Sequence, residues 1–365
     1  MRLRSRHTRL KILFIKRDKL GDLLLTTPVL EHVRATLPQA ELHLLANDYN
    51  AWVAEDHPAL ARTWIYARVR HAGRLRLGAA LHQPVLAWRL RRERFDWAIV
   101  AGGDESPRAI RRAIATGATR IVAYAADAAR YGRHLTDPLP VPGESDGHEL
   151  ARMYAELAPL GVAPPTRPLW PRYTLPETGH AFARAWLVEH GLADHAYVVL
   201  GLGARRARKQ PTAAQIVRWT SSWKRAWNLD TVFMWTPGKA DSRLYPGDDD
   251  IAAPVLARNL PHLHPFRGPI PHALGLIWHA RTSIIPDSGL MHFAAASPGG
   301  VVGLFAAPHE SAPAARWAPL GPRARHLEAE REVAELDDQV VLATMEPLVT
   351  SPARDTDSAP DRCTS

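Results

Sequence analysis

The sequence predicts an α/β protein in two similar halves, each a parallel sheet with helices on both faces. Three observations carry that expectation. Short apolar runs alternate with stretches of helical spacing along the chain, the pattern of strands joined by crossover helices. The alternation breaks once, at APPTRPLWPRYTLP (163–176), where five prolines and no apolar period mark a linker. Twice a strand runs into a Gly-containing acidic turn and then a helix, at KILFIKRDKLGDLLLTTPVL (11–30) and TSIIPDSGLMHFAAA (282–296), the kind of junction where α/β folds bind ligands. The pair implies one cleft between the halves, with Asp22 on one wall and Asp287-Ser288-Gly289 on the other.

In the first half, strands are expected at 12–15, 41–46, 63–66, 96–100 and 120–123. Residues 23–37 have helical spacing. Pro28 either kinks a helix that starts near Asp22 or sits in the first turn of one restarted with Thr27 as N-cap. A helix over 148–160 is stopped by Gly161. In the second half, strands are expected at 196–200, 231–235, 262–264, 282–285 and 301–305, with helices at about 177–190, 212–227, 270–280 and 288–296. The domains are thus 1–165 and 166–350, with 163–176 as linker. The polar, Pro-containing tail 351–365 is expected to be disordered.

With 365 residues, either half can bury its own core. No run of 18 apolar residues occurs, and the basic MRLRSRHTRLK passes straight into a strand, so neither a spanning helix nor a secretory leader is expected and the protein reads as cytoplasmic. The single cysteine, Cys363, lies in the tail and excludes a disulfide framework, a thiolate metal site and a Cys nucleophile. The net charge is +9, and only six of the 46 basic residues are lysine. Residues 2–19 carry eight basic side chains against Asp18, and 68–94 carry eight arginines against Glu93, so the first half should face something anionic. The stretch 75–95 mixes apolar residues with arginines. It reads either as a core-packing helix pair broken at Pro84 or as a membrane-surface element with arginines toward lipid phosphates. Nucleic acid would suit the charge, but no binding motif for it occurs.

Asp22 has two compatible readings, a carboxylate at a helix start and a general base able to take a proton from an acceptor hydroxyl. Lys16, Arg17 and Lys19 beside it can bind an anionic acceptor or keep the carboxylate ionised. At the second junction, Ser288, Gly289 and the following amides open a helix, where unpaired N–H groups bind phosphate; otherwise Asp287 or Ser288 is an N-cap and Gly289 a turn residue. His292, one turn on, either reaches that pocket or packs in the core. After the first strand of the second half comes GLGARRARKQP (201–211). Arg206 holds the slot where the dinucleotide fingerprint needs a third small residue, so Gly203 does not belong to a Rossmann cofactor loop. The loop's cations, Lys209 among them, either are solvated or meet a leaving group. Asp248-Asp249-Asp250 reads as a solvated N-cap in preference to a metal site.

KRDKLGDLLLTTPVLEHVRATLPQAELHLL and PDSGLMHFAAASPGGVVGLF resemble the N- and C-terminal signatures of glycosyltransferase family 9, the ADP-heptose:lipopolysaccharide heptosyltransferases, over roughly 10–305. The resemblance implies a GT-B fold of two Rossmann-like domains facing across a cleft, acceptor on the first and nucleotide sugar on the second. It implies Asp22 as the catalytic base, Lys209 near the donor phosphates, and Asp287, Ser288, Gly289, Leu290 and His292 as the nucleotide-sugar segment. Lys16, Arg17, Lys19 and Gly21 would lie on the acceptor side. The implied chemistry is inverting and metal-independent, with ADP-heptose as donor, lipopolysaccharide core as acceptor and peripheral attachment to the cytoplasmic face of the inner membrane. This chain departs from the family in three places. Gln210-Pro211 directly follows Lys209 where a Trp-Pro pair is usual a residue or two on. The turn at 236–241 offers Lys239 or Asp241 in place of a Glu. Ser288 stands where Thr is usual and keeps the hydroxyl. A nucleotide-sugar 2-epimerase of the same architecture, or a non-catalytic member that only binds nucleotide sugar, is the alternative.

Overall fold

The run Ile12-Leu13-Phe14-Ile15 has no polar side chain and is buried throughout, as a strand in the middle of a helix-covered parallel sheet must be. In the computed structural model, which describes residues 9–68, 70–71, 74–203, 206–239, 247–308 and 313–353, this run forms β1 (Lys11–Ile15). The chain divides into two compact units, Met1–Leu169 and Trp170–Ser365.

In the first unit β1 is joined by β2 (Glu41–Asn47), β3 (Arg62–Tyr66), β4 (Trp97–Val100), β5 (Arg120–Tyr124) and β6 (Asp137–Leu139), in the spatial order β3-β2-β1-β4-β5-β6. Every pairing is parallel, and Ile15 lies between Leu45 and Val100. The chain builds outward from β1 to β3, then returns to the other side of β1. That reversal opens a crevice at the carboxyl ends of β1 and β4, where open α/β sheets bind ligands. The helices are α1 (Leu20–Leu24), α2 (Thr27–Thr36), α3 (Leu77–Glu93), α4 (Pro107–Thr116) and α5 (Glu149–Ala155).

The second unit repeats the plan. Strands β7 (Tyr197–Gly201), β8 (Asp230–Met234), β9 (Leu263–Phe266), β10 (Thr282–Pro286), β11 (Val301–Phe305) and β12 (Ala324–Glu328) lie in the order β9-β8-β7-β10-β11-β12, all parallel. Its switch point is between β7 and β10. The helices are α6 (Glu177–Glu189), α7 (Ala213–Trp227), α8 (Asp249–Leu256), α9 (Ile270–Trp278), α10 (Gly289–Ala296), α11 (Ala314–Trp317) and α12 (Asp338–Thr350). Trp219 and Trp223, one turn apart on α7, are buried among Leu200, Phe233, Ile284 and the Val341 and Met345 side chains of α12.

Several expectations change. Of the two readings of Pro28 the restart holds: α1 ends at Leu24 and α2 begins anew with Pro28 in its first turn, though the N-cap is Thr26 and not Thr27. The helix pair expected to break at Pro84 is one helix, α3, with Pro84 inside it. Gln83, just before it, is tied down by its side-chain amide, which donates to the Ala67 and Ala79 carbonyls. The helix expected over 148–160 is α5 followed by a 3₁₀ turn, Ala158–Leu160, and Gly161 then takes the left-handed conformation that stops it. Strands β6 and β12 and helix α12 were not expected. Each strand lies at a sheet edge, one carrying Pro138 and the other mostly exposed, so neither has the apolar run of a central strand.

Candidate active site

Each switch point collects one of the two junctions singled out in the sequence. In the first unit the chain leaves β1 at Lys16, whose N–H donates to the Leu45 carbonyl at 3.0 Å. This holds Lys16 inside, with only 1% of its surface exposed. Its ammonium faces Asp18 at 3.6 Å and Glu149 at 4.0 Å. Burial works against a charged amine, but the carboxylates of Asp18, Asp22, Glu149 and Glu156 outweigh it and raise the pKa. Carboxylates of the protein surround the Lys16 ammonium, and its charge favours the ionised form of Asp22.

Asp22 is the third residue of α1 and half-buried. Its Oδ2 accepts from the Lys19 N–H at 2.8 Å, and the Thr26 hydroxyl donates to its carbonyl at 2.9 Å. The carboxylate is therefore both a cap and an oriented group. Burial raises its pKa above the ordinary aspartate value, against the pull of Lys16 and the Lys19 amide, which makes it a stronger base than a surface aspartate. Lys19 is exposed, Arg17 half-buried, and Gly21 buried inside α1.

Three residues that the sequence analysis missed complete this site. Glu149, Arg152 and Glu156 recur at i, i+3 and i+7 along α5 and its C-cap, which places them on one face, and all three are buried. They grip the Gly102-Gly103 turn that follows β4. Glu156 accepts from the Gly102 N–H at 3.2 Å, Glu149 from the Gly103 N–H at 2.8 Å, and Arg152 donates to the Gly103 carbonyl at 3.1 Å. A Cβ on Gly103 would lie 2.5 Å from both Arg152 and Glu149, so only glycine fits. Burial drives the Glu156 pKa well above the ordinary carboxyl value, with Lys16 opposing. The signal in the sequence was a charged face on a helix whose other positions, Leu150, Met153 and Leu157, are core residues.

In the second unit, β7 leads through Leu202 and Gly203 to a 3₁₀ turn, Ala207–Lys209. Lys209 reaches across the switch point and forms an ion pair with Asp287, the residue after β10. Both side chains are largely shielded, 13% exposed each. Next to Asp287, the buried Ser288 hydroxyl has no hydrogen-bond partner, and a Cβ on Gly203 would come within 3.8 Å of it. Helix α10 starts at Gly289, so the amides of Gly289 and Leu290 belong to the first turn, where no intrahelical acceptor exists. His292 is buried on the same helix, beside Met291 and Phe293. Gly203, Lys209, Asp287, Ser288, Gly289 and Leu290 thus form one neighbourhood with a cation, a free hydroxyl and a helix N-terminus, which together suit an anion.

The loop after β8 is fixed to that neighbourhood. Gln210 donates to Asp248 at 2.5 Å, and Asp248 also accepts from the Thr236 N–H at 2.8 Å. Asp249 accepts from the Trp235 indole at 2.9 Å and from the Gly238 N–H at 2.8 Å. The expectation of a solvated cap at 248–250 is corrected, since Asp248 is 5% exposed. Its carboxylate oxygens and those of Asp249 are engaged by loop donors. Lys239 is exposed on this loop, and Asp241 lies outside the described residues. Among the described residues no group of three or more His, Cys, Asp or Glu side chains gathers as a metal site.

The family model for glycosyltransferase family 9 (heptosyltransferase) matches residues 267–345, the part of the second unit that contains β10 and α10. Three solved structures share the fold across both units. A glycosyl transferase family 9 protein from Veillonella parvula is 17% identical, with a TM-score of 0.76 over 93% of this chain and 97% of its own. The ADP-heptose lps heptosyltransferase II of E. coli is 17% identical, with a TM-score of 0.70 over 93% and 98%. The E. coli heptosyltransferase WaaC, solved with ADP, is 15% identical, with a TM-score of 0.69 over 93% and 100%. Among curated proteins none matches the sequence. Residues 267–345 thus match glycosyltransferase family 9, as the C-terminal signature led one to expect, and the two parallel sheets have the expected GT-B type of fold.

Proposed function

We propose that this chain is an inverting glycosyltransferase that moves a heptose or a related sugar from an ADP-sugar to a lipopolysaccharide core oligosaccharide. One observation carries the reading: the two switch points are chemically opposite. The first presents an oriented, half-buried carboxylate of raised basicity, Asp22. The second gathers Lys209, the Ser288 hydroxyl and the start of α10, a set suited to a diphosphate. In the reaction Asp22 takes the proton of an acceptor hydroxyl as its oxygen attacks the anomeric carbon. The bond from that carbon to the diphosphate breaks on the opposite face, and the electron pair leaves with ADP. Lys209 and the α10 amides meet the charge that develops there. Fixed donors of this kind are worth roughly 3–4 kcal/mol each in the transition state. Lys239 borders the donor site, and Lys19 and Arg17 border the acceptor. No metal has a role in this scheme.

Among the described residues no helix is long and apolar enough to cross a membrane. An acceptor anchored in lipid calls for peripheral attachment to the membrane surface, which the basic first half favours.

The test is mass spectrometry of a truncated inner-core lipopolysaccharide incubated with ADP-heptose and the protein in EDTA, with Asp22→Asn in parallel. The expected outcome is a gain of one heptose that the variant abolishes. Conversion of the donor without acceptor would turn the reading to a 2-epimerase. Donor binding without turnover in any acceptor would turn it to a binding protein.

A further inference from the structure

Helix α3 has an outer face that its packing does not explain. Its inner face is ordinary. Leu90 is buried in the core of the first unit, Leu86 packs against that core, and Gln83 donates to the Ala67 carbonyl and accepts from Arg112 at 2.7 Å. On the opposite side, Leu81 is 76% exposed, Val85 46% and Trp88 56%. Their spacing of i, i+4 and i+7 puts them in one row, and the exposed Pro84 lies in it. Single exposed apolar side chains are ordinary, but a row of large ones marks a contact surface.

The charges beside the row have one sign. Arg89 and Arg92 are exposed on the same helix, and the Arg92 guanidinium sits 4.6 Å from the centre of the Trp88 ring. The one acid in α3, Glu93, is half-buried and paired with Lys11 at 2.8 Å and Arg62 at 3.7 Å. The exposed face is thus apolar along its axis and cationic at its flank, with no carboxylate. A two-fold contact between copies would oppose arginine to arginine, and a purely apolar partner would leave the arginines unmatched. A bilayer with anionic headgroups matches both, taking Leu81, Val85 and Trp88 at the acyl boundary and the arginines at the phosphates.

We propose that the outer face of α3 is a docking surface for anionic lipid bilayer, with Leu81, Val85 and Trp88 inserted at the interface and Arg89 and Arg92 on headgroup phosphates. This deepens the proposed function by naming the element that holds the protein to its acceptor's membrane.

The test is co-sedimentation of the full chain with vesicles of phosphatidylcholine alone and of phosphatidylcholine mixed with phosphatidylglycerol. The wild type should bind the anionic vesicles, lose binding as salt rises, and bind neutral vesicles far more weakly. Leu81→Gln/Val85→Gln/Trp88→Gln should lose binding at all salt concentrations. Arg89→Gln/Arg92→Gln, which leaves the apolar row intact and serves if the triple variant misfolds, should weaken it by about fivefold per arginine. Val188→Gln/Val340→Gln, on exposed apolar residues of the second unit, should bind as the wild type does. Equal binding by the wild type and the triple variant, or no binding by the wild type, would overturn the proposal. So would an oligomer, seen by light scattering, that the triple variant dissolves. Because no step needs turnover, vesicle binding without transfer would sink the transferase reading alone, and transfer to a soluble acceptor without vesicle binding would sink this one alone.

Discussion

Replacing Lys16 with methionine keeps the length of the side chain and removes its charge. The ammonium lies 4.0 Å from Glu149, and both residues are buried. At that distance, with an effective dielectric constant of about 20, the attraction is about 4 kcal/mol. Asp18, at 3.6 Å, is 42% exposed and adds little because water screens it. Removing one partner of a buried pair leaves the other charge uncompensated and costs about 3–5 kcal/mol. In a domain of this size that lowers Tm by about 6–20 °C. Denaturant melts of Lys16→Met, Glu149→Gln and the double variant measure the pair directly, and the double variant should be more stable than Lys16→Met alone. The same substitution removes the charge that holds the Asp22 pKa down against burial. The pH below which transfer fails should therefore move upward, with the high-pH rate less affected. A loss under about 1 kcal/mol together with an unmoved acid limb would refute the reasoning, because Lys16 would then be neither a structural counter-charge nor a tuner of Asp22.

Three further outcomes follow from the geometry. Lys209→Ala should lower kcat by about 10²–10³, with donor affinity followed separately by calorimetry so that loss of binding and loss of leaving-group stabilisation are told apart. Gly103→Ala places a Cβ 2.5 Å from Arg152 and Glu149 and should destabilise the first unit by about 1–3 kcal/mol, read as a fall in the urea midpoint at unchanged m-value. The Glu156 pKa is raised in the folded state, so the native protein binds this proton more tightly than the unfolded chain. Its stabilising contribution is fully present below the unfolded pKa of about 4.3 and is lost as pH rises through the folded pKa. Glu156→Gln should remove that decline, which urea midpoints measured from acid to neutral pH in both proteins would show.

The parallel sheets were legible because their central strands are unbroken apolar runs, such as Tyr197-Val198-Val199-Leu200, and their helices carry periodic ones. Both junctions were legible because glycine and a carboxylate between an apolar strand and a helix are a local signal. The ion pair between Lys209 and Asp287 was not, since 78 residues separate its members and only the strand order brings them together. The buried Glu149, Arg152 and Glu156 stayed hidden for a related reason. On a helix, a charged face ordinarily means solvent, and here it means the turn after a strand nearly 50 residues earlier. Pro84 misled, because it suggested a break and lies inside one helix, whereas the restart at Pro28 was one of two readings that the local pattern allowed.

The Gly102-Gly103 turn has one more meaning. In a sheet of this topology the amides just past the fourth strand border the crevice where ligands bind. Here two carboxylates of the same chain have already claimed them. In the first unit those amides are therefore already bonded to side chains of the same chain. The second unit, built on the same strand order, has the start of α10 at the corresponding place. Filling that place with side chains in one unit and leaving a helix start there in the other lets a single strand order present two chemically different surfaces.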